Sequence, residues 1–370
     1  MRILLSDTWA GGGASTFVAV LARGLQERGH EVDVVLGYRT APAVEVYRPY
    51  VRKIFAPPSS FSEILLRGDY DAVHITEQDL FPPFDYARRA RRLGVAAIVA
   101  TSHTTPEDVF IPQGAAALVF VSEHGRLSGA FAPQRVEVIP NGVDAHWLRS
   151  VADDALVRDI VRPLVVWAGR LVENPPQKDF LGFGYALRTL VQQGWQVLVL
   201  DGSPLSTVAP ADEQLRRWFG DAVRYANQVP MPQVLGALRR AGETGGALVS
   251  TSRVEGAPFI ALEALALGCP IVAPPIAGYE RLLELGSATT YESLEDLLRV
   301  LGDGIFGGAA VALPEELTAE RMVDAYLALY AELASDEVDD WAVRGRRTLA
   351  RVASHPAAQA VRSGLRVGRT

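Results

Sequence analysis

Short apolar runs and longer amphipathic stretches alternate along the chain. RILL at 2–5 is the first such run. A glycine loop follows, then a stretch from Ser15 to Arg28 that carries Phe17, Val20, Leu21 and Leu25 on one helical face. Gly29 ends that helix, and EVDVVLG supplies a second strand. Further strands are predicted at AVHIT (72–76), AAIVAT (96–101), AALVFVS (116–122) and VEVIP (136–140). The pattern then restarts with LVVWAG (164–169), QVLVLDG (196–202), AVRYA (222–226), ALVSTS (247–252) and PIVAP (270–274), again with helical stretches between. Runs that are apolar throughout belong to strands covered on both faces, and strands separated by helices belong to parallel sheets. Two successive α/β units are therefore expected, joined by a polar linker near 145–163. Open parallel sheets bind ligands at the carboxyl ends of their strands, so two facing sheets would share one active site in a central cleft.

Composition narrows the function classes. A chain of 370 residues has room for two cores, and 49% hydrophobic with 21% charged residues is ordinary for a globular protein. No apolar run approaches the ~18 residues that span a bilayer, and the N-terminal run reads as a strand rather than a secretion signal. A single cysteine, Cys269, rules out an internal disulfide and a cysteine metal cluster; a cytoplasmic address is the expectation. The net charge of −7 argues against nucleic acid as a partner. Residues 341–370 hold seven Arg and no acid, a +7 tail that leaves −14 on the remainder. In that tail Arg344, Arg347 and Arg351 would share a helical face opposite Leu349 and Val352. It reads as a disordered end, as a segment packed on the acidic body or, as the lesser expectation, as a contact for anionic lipid. Of 36 basic residues only Lys53 and Lys178 are lysines, so a lysine at a motif position carries extra information.

The densest chemistry lies in VEGAPFIALEALALGCPIVAP, residues 254–274. Proline at 258 suits a first helical turn, and in PFIALEALAL the only polar side chain is Glu263. A helix apolar all round is buried, and a carboxylate within it is costly unless a strong hydrogen-bonding partner offsets its desolvation. A ribose diol is one such partner; an internal Arg is the structural alternative. Glu255 sits just before the helix, and the amides of Phe259 and Ile260 at its start can meet phosphate oxygens. The Glu-x7-Glu spacing followed by ALALGCPIVAP resembles the donor-binding signature of the retaining glycosyltransferases of family 4. The resemblance implies that Glu263 holds the ribose and Glu255 contacts the donor sugar.

Other segments fit the same family. VVWAGRLVENPPQKDF (165–180) resembles its diphosphate clamp, implying that Gly169, Arg170 and Lys178 face the nucleotide diphosphate. Arg170 and Lys178 stand eight positions apart, more than the family's usual five or six, with Asn174-Pro175-Pro176 between them. TWAGGGAS (8–15) looks like the loop that lies against donor phosphates and acceptor, with Gly12 and Gly13 as the contact points. Its spacing is not Gly-x-Gly-x-x-Gly, and no acid marks the end of the second strand, which disfavours a dinucleotide site. His103 in VATSHTTP corresponds to a histidine that contacts the transferred sugar, whereas His74, inside an apolar strand, reads as a core residue. In VIPNGVD (138–144), Asn141 and Gly142 read as turn formers first. Asp69-Tyr70-Asp71 caps a helix or turn more simply than it binds metal, and no His or Cys cluster supports a metal site.

The implied fold is α/β of the GT-B kind, two Rossmann-like parallel-sheet domains facing a central cleft. An acceptor-binding domain over 1–155 would precede a nucleotide-sugar-binding domain over 163–316. A closing helix over 317–336 would cross back to the first domain, ahead of the basic tail over 337–370. The implied reaction is sugar transfer from a nucleotide diphosphate sugar to an acceptor hydroxyl with retained configuration, without metal or other cofactor. A nucleotide-sugar 2-epimerase and a non-catalytic nucleotide-sugar-binding protein are the alternatives.

Overall fold

Each apolar run read as a strand is a strand in the computed structural model. It describes residues 1–7, 12–37, 41–55, 61–76, 86–103, 114–127, 135–149, 156–171, 177–203, 209–304 and 313–335. Residues 8–11 of the glycine loop, Asn174-Pro175-Pro176 and the basic tail with Arg344, Arg347 and Arg351 lie outside the described residues.

The first sheet is built from β1 (Arg2–Asp7), β2 (Glu31–Leu36), β3 (Lys53–Phe55), β4 (Ala72–Thr76), β5 (Ala97–Ser102), β6 (Ala117–Phe120) and β7 (Arg135–Val138). Its helices are α1 (Gly13–Glu27), α2 (Ala41–Tyr47), α3 (Phe61–Gly68), α4 (Tyr86–Arg92) and α5 (Glu123–Leu127). After α6 (Ala145–Arg149), the second sheet takes β8 (Leu164–Gly169), β9 (Gln196–Asp201), β10 (Val223–Asn227), β11 (Ala247–Val249), β12 (Ile271–Ala273) and β13 (Ala288–Thr290). Its helices are α7 (Phe180–Gln192), α8 (Ala209–Phe219), α9 (Met231–Glu243), α10 (Phe259–Ala266), α11 (Glu280–Glu284) and α12 (Leu294–Gly302), and α13 (Ala319–Ser335) closes the described chain.

Strand order is β3-β2-β1-β4-β5-β6-β7 in the first sheet and β10-β9-β8-β11-β12-β13 in the second. Among the described residues every pairing is parallel, with Ile3 opposite both Val32 and Ala72 in one sheet and Val165 opposite both Val197 and Ala247 in the other. The edge strands β3 and β13 had no strand signal. Each is three residues long and none of their residues is buried, so neither carries an apolar run.

The chain divides into two compact units. One comprises the described residues within 1–10, 18–139 and 323–370, and the other those within 11–17 and 140–322. In the first, Leu4, Val73, Ile75, Ile98 and Leu118 pack under α3 and α4, where Phe61 stacks on Tyr86 at 3.9 Å between ring centroids. The second sheet is covered on both faces, as its uniformly apolar strands require. Leu164, Val166 and Leu198 face α9 and α10, while Val165, Trp167 and Val199 face α7 and α12. The segment expected as a polar linker forms α6 and adds Val157 and Ile160 to this second core.

Helix α13 supplies anchors to the first unit from Val323 onward. Tyr330 Oη lies 2.5 Å from His74 Nδ1, Tyr326 Oη lies 2.9 Å from Thr101 Oγ1, and Arg28 donates to Asp324 at 2.7 Å. Asp69-Tyr70-Asp71 serves the fold: Asp69 takes φ 52°, Tyr70 donates to the buried Asp33 at 2.6 Å, and Asp71 accepts from the Arg2 amide at 2.7 Å. Within the second unit the VIPNGVD segment runs beside the start of α13. Val143 N donates to Leu317 O at 2.8 Å and Ala319 N returns the bond to Val143 O at 2.9 Å.

Gly142 owes its place to this pairing, because a Cβ there would overlap the backbone carbonyl of Thr318. Backbone cannot yield as a flexible side chain can, so Gly142→Ala is expected to cost about 1–3 kcal/mol. Urea denaturation should show the unfolding midpoint of the variant shifted down; an unchanged midpoint would mean the two segments separate freely.

Candidate active site

In the second sheet β8 lies between β9 and β11, so the connections that leave β8 and β11 run away from one another from the carboxyl ends of those strands. That reversal opens a crevice above the sheet. Gly169 closes β8, and a Cβ on it would stand 2.8 Å from the Trp167 ring and 2.9 Å from Lys178 Cγ. With no side chain there, the aliphatic stem of Lys178 packs against the end of β8. Arg170 follows, partly exposed, and no ion pair reaches it among the described residues. Its Nη2 lies 3.8 Å from where a Gly12 Cβ would stand, and a Cβ on Gly13 would lie 4.0 Å from the Phe259 ring.

Lys178 is held by its neighbours across the crevice. Thr251 Oγ1, just past β11, lies 2.8 Å from Lys178 O and 3.1 Å from Asp179 O, and it accepts from Trp167 Nε1 at 3.0 Å. Arg253 N donates to Gln177 O at 2.8 Å, and the Arg253 guanidinium pairs with Asp179 at 3.0 Å. Asp179 then caps α7 from a left-handed conformation, φ 45°, by accepting from Gly182 N at 3.1 Å. The wide spacing from Arg170 thus ends in a fixed backbone.

The Lys178 ammonium donates to Glu255 Oε1, and Ser252 Oγ donates to the same oxygen at 2.6 Å. Gly278, at φ 92°, lets its loop approach closely, since a Cβ there would lie 2.5 Å from Glu255 O. Asn141 Nδ2 donates to Ala257 O at 2.8 Å, so the residue read as a turn former also holds the loop before α10. Pro258 is the residue preceding that helix, with φ −71°, rather than part of its first turn. Six residues of α10 are buried, Glu263 among them at 4% exposed. The internal Arg is absent: among the described residues no hydrogen bond or ion pair reaches the Glu263 carboxylate, and burial pushes it up to about 7.

His103 belongs to the first unit, directly after β5, and burial pushes it down to about 4, leaving a neutral imidazole at neutral pH. His74 is a core residue, as its strand suggested, and burial takes it down to about 3, with a smaller contribution from His103. Among the described residues no group of three His, Cys, Asp or Glu side chains is placed to hold a metal, and no helix is long and apolar enough to cross a membrane.

Residues 11–147 match the family described as Glycosyltransferase Family 4, and residues 162–298 match Glycosyl transferases group 1. The chain is a glycosyltransferase. No curated protein sequence matches it significantly. Solved structures similar to this glycosyltransferase include one from Rickettsia africae, at 15% identity and a TM-score of 0.68 over 91% of this chain and 99% of that one. HepE from Anabaena, solved in complex with UDP and glucose, gives 17% identity and a TM-score of 0.58 over 92% and 98% of the two chains. A UDP-GlcNAc 2-epimerase from Methanocaldococcus jannaschii, at 10% identity, gives 0.61 over 90% and 100%. At these identities the likeness is one of fold, the GT-B arrangement of two parallel-sheet α/β domains.

The glycosyltransferase also uses residues that the motifs did not single out. Asp201, at the end of β9, accepts from the amides of Leu171 at 3.2 Å and Ser203 at 2.8 Å and from Tyr225 Oη at 2.6 Å, and so fixes the chain beyond Arg170. Its signal was present, as the one acid closing the apolar run QVLVLD. Thr251, Ser252 and Gly278 had no such mark.

Burial raises the Glu263 carboxyl from an ordinary 4.5 to about 7, so the folded chain keeps a proton that the unfolded chain has lost. Stability from this group is complete below pH 4.5 and is lost as pH rises through 7. The difference in urea unfolding free energy between wild type and Glu263→Gln should change over that window by up to about 3 kcal/mol, against wild type as pH rises. Parallel pH profiles for the two proteins would refute it.

Proposed function

We propose that this glycosyltransferase moves a sugar from a nucleoside diphosphate sugar to a hydroxyl of a small-molecule, glycan or lipid acceptor with retained anomeric configuration. The support is the gathering of Gly169, Arg170, Lys178 and Glu255 around the strand-order reversal of the second sheet, with a buried Glu263 that meets no partner among the described residues in the helix that follows. In this reading the diphosphate lies against Arg170 and Lys178. The Phe259 and Ile260 amides at the start of α10 and the Gly12–Gly13 backbone assist. Glu263 accepts from the ribose hydroxyls, which offsets the desolvation of its carboxyl. Glu255 orients the sugar.

The chemical step breaks the bond between the anomeric carbon and the phosphate oxygen. The acceptor oxygen bonds to that carbon on the same face, and its proton passes to the departing phosphate. Negative charge grows on the diphosphate as this happens, and two fixed cations stabilise the transition state more than the ground state. The proposal needs no metal or other cofactor.

A thermal-shift panel of UDP-, GDP-, ADP- and dTDP-sugars tests the donor site, because a ligand that binds only the folded chain raises its melting temperature. One donor should stabilise wild type, and Glu263→Ala should lose that shift. With that donor and an acceptor in hand, Arg170→Ala and Lys178→Ala should each lower kcat by about 100-fold or more. No shift with any nucleotide sugar at millimolar concentration would overturn the donor site. Conversion of the donor to its 2-epimer without acceptor would replace transfer with epimerisation.

A further inference from the structure

The two oxygens of Glu255 are not equivalent. Lys178 Nζ and Ser252 Oγ both donate to Oε1. Among the described residues no donor reaches Oε2, although the Glu255 side chain is only 10% exposed. A carboxylate this enclosed has room for about one ligand group, and the oxygen already holding two donors is not the one that takes it.

Ser252 is itself fixed from below. Its amide donates to Ser250 Oγ at 3.2 Å, and Ser250 Oγ lies 3.0 Å from Ser252 Oγ. Tyr291 Oη donates to Ser250 O at 2.8 Å, which ties this turn to the end of β13, two strands away. Gly278 packs against the backbone and Cβ of Glu255, with no space for even a methyl group between them, and so fixes the root of the side chain. The carboxylate therefore has few rotations left, and the hydroxyl of Ser252 selects among them.

We propose that Ser252 is a positioning residue that, with Lys178, occupies Oε1 of Glu255 and so presents Oε2 as the single acceptor for a sugar hydroxyl of the donor. This rests on the donor site described above. It assigns Glu255 one hydrogen bond to ligand, accepted from a hydroxyl, rather than a two-oxygen grip on a diol. The Lys178 ammonium does two things from one place: it fixes the carboxylate and stands beside the diphosphate.

The test compares two ligand classes on the same variants. Dissociation constants are measured by calorimetry for the stabilising nucleotide sugar and for its bare nucleoside diphosphate, on wild type, Ser252→Ala and Ser252→Thr. The diphosphate has no sugar hydroxyl for Oε2, so Ser252→Ala should bind it as wild type does. The same variant should bind the nucleotide sugar about tenfold more weakly, the scale of a hydrogen bond to a charged group. Ser252→Thr keeps the hydroxyl and should restore most of that loss. Equal weakening of both ligands in Ser252→Ala would overturn the proposal in favour of a general structural role, as would full affinity for both. If Ser252→Ala fails to fold, the ratio of the two constants in Ser252→Thr decides: near wild type supports the proposal, and a ratio tenfold worse overturns it. Failure of wild type to bind either ligand would instead remove the donor site itself.

Discussion

Because β8 sits between β9 and β11, the chain that leaves β8 and the chain that leaves β11 diverge above the sheet and open a crevice between their ends. Every residue of the candidate site in the second unit depends on how those two chain segments are tied back together. The tie is Thr251. Its single hydroxyl joins the Trp167 indole under the sheet end to the carbonyls of Lys178 and Asp179 beside it. Asp179 can then start α7 from a left-handed turn, and the Trp167 ring, edge-on to Phe180 and stacked on Phe183, fixes that helix from below. Placement of the lysine follows from packing that lies outside the motif containing it.

The two glutamates are handled in opposite ways. Glu255 is nearly enclosed and fully compensated on one oxygen, by an ammonium and a hydroxyl. Glu263 is enclosed and has no such partner among the described residues, and its raised titration is the consequence of that burial alone. A local rule is broken at one position inside an otherwise consistent helix, which is the pattern expected where a ligand completes the polar network. Folding around an uncompensated carboxyl costs stability that binding can return.

In the first unit α13 supplies partners to two buried polar side chains of the sheet. Tyr330 meets His74 and Tyr326 meets Thr101, two contacts that let a helix rich in aromatic residues seat on the ends of β4 and β5. The same helix begins in the second unit beside Val143 and belongs to the first unit from Val323 onward.

The sequence by itself determined the strands of both sheets except β3 and β13, their parallel class, the apolar character of α10 and the presence of Glu255 and Glu263 eight positions apart. These features are local. Burial on both faces writes an uninterrupted apolar run into each strand, and that signal survives without knowledge of any neighbour. The signal was missing in β3 and β13 at the sheet edges, three residues each with none of them buried. Tertiary structure alone decided that Lys178 would meet Glu255 across 77 positions, that Thr251 would hold residues 178 and 179, and that Asp201 would fix the chain after Arg170. It also decided that Gly278 would make room for Glu255. Such contacts depend on which loops the strand order brings side by side, and a strand order arises from long-range pairing that leaves no period in the chain.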